Sequence, residues 1–104
     1  MARKYDSPCP VARTLNVIGD RWAVLVLRDF FLFGSRRFQD LEESLKGITP
    51  GVLSKRLRDF EAQGVIESRL YAKHPPRREY SLTGKGRELG PVLGAMKRWG
   101  ERYA

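Results

Sequence analysis

The segment from Phe38 to Ile66 restricts the fold of this chain more than any other part. Apolar residues recur at helical spacing on both sides of Gly47, and Thr49-Pro50 supplies a capping side chain followed by a proline suited to a first turn. The pattern predicts a helix-turn-helix over about 38–63, ending at Gly64 and followed by a strand. In this arrangement the second helix can enter the major groove of DNA while the first braces it.

The second predicted helix has two different faces. Leu53, Leu57 and Phe60 share one side, and at 100° per residue the opposite side carries Gly51, Ser54, Lys55, Arg58 and Ala62. Small and basic residues allow close approach to phosphates and base edges. A solvated basic face would have the same composition, so this helix alone does not separate the two interpretations.

A basic hairpin is predicted over about 65–82. Residues 65–71 and 78–82 have the composition of strands, and the segment 72–77 between them is basic and contains two prolines. We expect this segment to be an extended loop, since a plain hairpin favours a tight Asn-Gly type of turn. Such a wing reaches an adjacent minor groove or the phosphates.

Charge supports a polyanionic partner. The net charge is +8, and residues 49–87 hold nine Lys or Arg against four Asp or Glu. The alternative interpretation is that these basic residues serve solubility alone.

The composition also favours a cytoplasmic setting over a membrane or an oxidising compartment. The longest apolar run, residues 22–33, is broken by Arg28 and Asp29 and is too short to span a bilayer. No signal-peptide pattern opens the sequence, and a single cysteine excludes an intramolecular disulfide.

Helices at both ends are predicted to form a dimer interface. The segments 9–18 and 84–103 flank a nearly all-apolar central helix over 21–33, and a break is expected near Gly90. Apolar residues of the C-terminal segment recur at spacings of three and four and form a seam along one side of it. Either the domain's own core or a second subunit must pack on this seam, and we favour the second subunit. The predicted interface residues are Val11, Leu15, Leu89, Val92, Met96, Trp99 and Tyr103.

Nothing in the sequence indicates an enzyme, a metal or a cofactor, because His74 and Cys9 lie far apart and no phosphate-binding glycine loop occurs. Cys9 is the one reactive candidate. It precedes a helix whose N-terminus and Arg13 favour a thiolate, and Arg3 and Lys4 add positive charge. A small packed residue is the alternative interpretation.

These segments together resemble the HxlR-type family of winged-helix transcriptional regulators. The matching segments are 9–15, 18–22, 37–41, 48–57, 75–83 and 99–100. The resemblance implies a homodimer joined through its terminal helices, near-palindromic operators, and, in some members, a thiol sensor at the position of Cys9. Gly51 departs from the family, which often has a long polar residue there.

The fold class expected is mostly α with a small β-hairpin, an α+β winged helix-turn-helix with added dimerisation helices in one domain over 1–104. The function expected is a sequence-specific DNA-binding regulator, a dimeric repressor that responds to oxidants, electrophiles or a small molecule. An architectural protein without sequence preference, or a protein-interaction module, are the alternatives. The DNA-binding residues predicted are Arg36, Arg37 and Gln39 near phosphates, Thr49, Pro50, Gly51, Ser54, Lys55 and Arg58 on the second helix, and Lys73, His74, Arg77 and Arg78 in the wing.

Overall fold

A computed structural model describes residues 8–104, so the expectation for Arg3 and Lys4 lies outside the described residues. In chain order the elements are α1 (Pro10–Ile18), α2 (Arg21–Phe33), β1 (Arg36–Arg37), α3 (Phe38–Ser44), α4 (Pro50–Ala62), β2 (Ile66–Lys73), β3 (Pro76–Leu82), α5 (Gly84–Arg87) and α6 (Gly90–Tyr103). The α+β class and the helix-turn-helix of α3 and α4 are as the sequence predicts. None of the helices between residues 8 and 104 has the length and apolar character that a bilayer-spanning helix requires.

Helix α2 lies at the centre of the core. The side chain of Asp20 accepts a hydrogen bond from the Ala23 N–H at 3.0 Å and so caps the helix, and Gly34, with a φ of 78°, ends it. The buried side chains are Ala23, Val26, Leu27 and Phe30 of α2 together with Leu41, Leu45, Leu53, Leu57, Phe60, Val65 and Ile66. This nearly all-apolar helix is not buried all round, since Phe31, Leu32 and Phe33 at its end are exposed.

The sheet is antiparallel with the strand order β1-β3-β2. The hairpin register runs from Ile66 opposite Leu82 to Lys73 opposite Pro76, with an irregularity between Leu70 and Ala72. The prediction of an extended loop over 72–77 is therefore wrong. The strands continue almost to the tip, and only His74 and Pro75 form the turn, so Lys73 and Arg77 are strand residues, as Arg78 is predicted to be.

The C-terminal segment 84–103 is divided into two helices, with the break just before Gly90 that the sequence predicts. Helix α5 is capped by Thr83, whose hydroxyl accepts from the Gly86 N–H at 3.1 Å, and it stops before the turn that starts α6. A Cβ at Gly86 would lie 2.1 Å from the Val65 carbonyl oxygen, so this close approach to the backbone just before β2 requires glycine. Leu89 precedes α6 and packs against the domain's own core, which corrects its assignment to an intersubunit seam.

A buried ion pair joins α2 to the start of the helix-turn-helix. The Arg36 Nε lies 2.9 Å from the Asp29 Oδ2, and the Arg36 Nη2 donates to the Asp40 carbonyl oxygen at 3.1 Å. The hydroxyl of Ser44 donates to the other carboxylate oxygen of Asp29, which has no solvent exposure. The expectation that Arg36 contacts phosphates is therefore corrected, because its guanidinium is occupied within the fold.

We expect Arg36→Ala to destabilise the domain by about 3–5 kcal/mol, because it leaves the buried Asp29 carboxylate without a counter-charge. Urea unfolding followed by circular dichroism measures the change, and Arg37→Ala, which removes an exposed arginine one residue away, is the matched control. A similar small loss in both variants would show that the ion pair does not hold these elements together.

Candidate nucleic-acid interface

The orientation of α4 follows from its cap and its apolar side. The Thr49 hydroxyl accepts from the Val52 N–H at 3.2 Å, and Pro50 occupies the first turn. Leu53, Leu57 and Phe60 are buried, so the opposite face of the helix points away from the core. Thr49, Pro50 and Gly51 are exposed at its start, and the space beside Gly51 is open.

The exposed side of α4 carries two intrahelical contacts. The Arg58 Nη1 donates to the Ser54 hydroxyl at 3.1 Å, and the Lys55 Nζ lies 2.8 Å from the Asp59 Oδ2. Both members of the Lys55–Asp59 pair are nearly half exposed, so the pair contributes little and can rearrange when an anion approaches. Asp59 thus lies beside a predicted DNA-binding lysine, a position that the spacing of four residues could have indicated.

Arg56 differs from its neighbours in the same helix. Its Nε lies 2.9 Å from the Asp20 Oδ2, and its side chain is only 18% exposed. The pair connects α4 to the cap of α2. Arg56 therefore stabilises the fold and lies outside the exposed basic surface.

One side-chain hydrogen bond connects the hairpin to α4, and a second one within the hairpin shares its hydroxyl. The Ser68 hydroxyl donates to the Glu61 Oε2 at 2.7 Å and accepts from the Arg78 Nη1 at 3.0 Å. At the exposed end of the hairpin, Lys73, His74 and Arg77 form no ion pair with a described residue. The tip therefore presents basic groups that are available to an external partner.

A groove of about 740 Å³ separates α3 from the hairpin, and its lining includes Arg37, Gln39, Arg77 and Arg78. The structure thus brings together four residues that the sequence assigned to two separate regions. The Arg37 guanidinium lies 4.2 Å from the centroid of the Tyr71 ring, a cation–π contact that orients it across the groove.

Tyr80 also lines this groove, and sequence reasoning missed it together with Tyr71. Burial raises the pKa of Tyr80 above its ordinary value, the Glu61 carboxylate raises it further, and Arg78 opposes the rise. At neutral pH its hydroxyl is therefore uncharged, and it can donate or accept a hydrogen bond at the groove wall.

The predicted dimer surface is largely exposed. Val11 is 73% and Trp99 62% exposed, and Leu15, Val92, Met96 and Tyr103 are exposed as well. The rings of Trp99 and Tyr103 contact each other with centroids 5.4 Å apart. Cys9 is exposed and occupies the N-cap position of α1, where its carbonyl accepts from the Arg13 N–H.

Comparison with known proteins agrees with this arrangement. The profile of the HxlR-like helix-turn-helix family matches residues 17–104. The chain belongs to the HxlR-like family. The relatives that match the chain are transcriptional regulators and not enzymes. The chain is accordingly a DNA-binding transcriptional regulator with a winged helix-turn-helix fold.

Two relatives and one solved protein show the extent of the HxlR-like similarity. Uncharacterised HTH-type transcriptional regulators from Synechocystis sp. and from Bacillus subtilis, the latter named YdeP, are each 42% identical over 95 residues; these cover 91% of this chain and 70% and 73% of the relatives. The redox regulator HypR is 38% identical in both its oxidised and reduced structures. The oxidised structure has a TM-score of 0.83 and covers 92% of this chain and 98% of its own; the reduced one has a TM-score of 0.84, with coverages of 90% and 92%.

Proposed function

We propose that this HxlR-like protein is a dimeric repressor that binds a near-palindromic operator and blocks a promoter in the cytoplasm. The observation that carries the proposal is the orientation of α4. Leu53, Leu57 and Phe60 attach one side of the helix to the core, and this leaves Ser54, Lys55 and Arg58 outside. A helix held in this way can enter a major groove without rearrangement of the core.

The surrounding residues divide into two roles. Arg37 and Gln39, at the groove beside α3, would contact phosphates and set the position of the helix. Lys73, His74 and Arg77 at the hairpin tip would approach the adjacent minor groove or its phosphates. The start of α4, at Thr49, Pro50 and Gly51, would lie deepest in the major groove.

We expect Arg58→Ala to weaken operator binding by about 1–3 kcal/mol if its guanidinium contacts a base edge. The operator is first located by mapping bound DNA across the genome, and affinities are then measured by fluorescence anisotropy at fixed salt. Arg98→Ala, which removes an exposed arginine from α6, is the matched control and should leave affinity unchanged. Equal weakening on operator and random duplex would make Arg58 a phosphate contact.

The same titration separates the regulator from an architectural protein. A regulator should prefer its operator over random duplex by about a thousandfold or more. Binding that is equally tight to both sequences, and that weakens steeply with salt for both, would support the architectural alternative. Absence of duplex binding would favour a protein-interaction module.

The proposed dimer joins α1 and α6 through Val11, Leu15, Val92, Met96, Trp99 and Tyr103. We expect Trp99→Glu to convert dimers to monomers in sedimentation velocity, because it places a charge in an apolar interface. Leu70→Glu, at an exposed apolar residue of the hairpin, is the control for the introduced charge.

Footprinting of the wild type should show two half-sites about one helical turn apart, roughly 34 Å. A dimer unchanged by Trp99→Glu, or a single half-site, would contradict this arrangement.

We also propose that Cys9 is an oxidant sensor, an assignment supported by its exposure and by the similarity to a redox regulator. Diamide removes two electrons and two protons from two thiols, and in this chain those thiols belong to two subunits or to one subunit and a small thiol. We expect a diamide-induced dimer on non-reducing electrophoresis, together with altered operator affinity, and loss of both effects in Cys9→Ser. If oxidant changes operator binding equally in wild type and Cys9→Ser, Cys9 is not the sensor.

A further inference from the structure

An apolar groove of about 590 Å³ lies between α2 and α6, on residues that the DNA interface does not use. Val24, Phe31 and Leu32 form the α2 wall, and Leu93 and Met96 form the α6 wall. The volume is within the range of sites that enclose small molecules. Phe31 and Leu32 are also exposed apolar residues, so the groove accounts for a surface that the domain core leaves uncovered.

Two glycines create this space. Gly90 and Gly94 are one turn apart in α6 and both line the groove. A Cβ at Gly90 would lie 3.3 Å from the Phe31 Cε1, so the helices approach closely there and close one end. A Cβ at Gly94 would meet only the Arg98 Nη1, at 3.4 Å, so the groove is open at this position.

The charge at the groove has a single sign. Arg28 lines it from α2 and Lys97 from α6, and both are exposed. Neither forms an ion pair with a residue in the described part of the chain, and none of the residues that line the groove is acidic. An apolar groove flanked by two cations is complementary to an apolar molecule that carries an anionic group.

The groove and the proposed dimer seam use different faces of α6. Leu93 and Lys97 share one face, whereas Val92 and Trp99 lie roughly 100° or more away around the helix. Met96 lies between the two faces and belongs to both. A second subunit on the seam would thus border the groove without having to fill it.

We propose that this groove binds a small amphipathic carboxylate, with its apolar body between α2 and α6 and its carboxylate beside Arg28 and Lys97. Its use as an effector site rests on the proposed DNA-binding function. Helix α2 leads through Arg36 into α3, so a ligand that fixes α2 against α6 acts on the base of the helix-turn-helix. Any resulting change in operator affinity requires an equal change in ligand affinity.

Decanoate is the probe, and decanol is its uncharged counterpart. Isothermal titration calorimetry without DNA should show one saturable decanoate site per chain, with decanol weaker by about tenfold or more, as expected from loss of a charge-assisted contact. The double variant Arg28→Gln/Lys97→Gln should weaken decanoate about tenfold or more and leave decanol unchanged. Gly94→Leu, which fills the groove, should abolish both, and Lys46→Gln, which removes an exposed lysine between α3 and α4, should change neither.

Three results would overturn the proposal. They are absence of saturable decanoate binding to the wild type, decanol binding as tight as decanoate, and decanoate binding that the groove variants leave unchanged. Sedimentation velocity of Gly94→Leu tests whether a second copy occupies the groove, since loss of the dimer would assign the groove to the partner subunit. Because no DNA is present, failure of operator binding leaves this titration interpretable.

Discussion

The attachment of α4 to α2 through Leu53, Leu57 and Phe60 is the packing interaction on which the remaining geometry depends. Each of these side chains is almost fully buried, and burial of a large apolar side chain contributes about 1.5–3 kcal/mol. The contact fixes the rotation of α4 about its axis. The polar side of the helix is therefore directed outward by the core, and exposure of Arg58 is a consequence of packing three residues of the opposite side.

Ion pairs then fix the position of α4 relative to the rest of the domain. Arg56 connects it to Asp20, and Arg36 connects β1 and α3 to the buried Asp29. Both arginines have only 18% of their side chains exposed. Arg58 differs from both of these arginines, because its only described hydrogen-bond partner is the hydroxyl of Ser54 on the same helix. Basic residues in this domain thus perform two separate tasks, and the total positive charge overstates the number that remain available to DNA.

The sequence predicted the helix-turn-helix well because local signals define it. Thr49 and Pro50 start α4, and the caps and spacing needed no tertiary information. The prediction of a loop at the hairpin tip was wrong because basic residues and prolines are typical of loops, whereas pairing across the hairpin extends the strands to Lys73 and Pro76. The role of Arg36 was missed for a related reason. A strand of two residues has no readable alternation, so nothing in the sequence separates Arg36, which points to Asp29, from exposed Arg37.

The glycines of α6 show how one composition can have two structural effects. In the sequence, Gly90 and Gly94 indicate only a weakened helix, and the break before Gly90 agrees with that interpretation. Their position one turn apart has a second effect that requires α2 to be in place, since Gly90 faces Phe31 and both glycines line the groove without a side chain to fill it. One face of α6 thus presents the aromatic side chains of the seam, and another presents the groove with Lys97 at its edge. A helix with such faces can bind a second subunit and a small ligand without using the same side chains, except for Met96 where the faces meet.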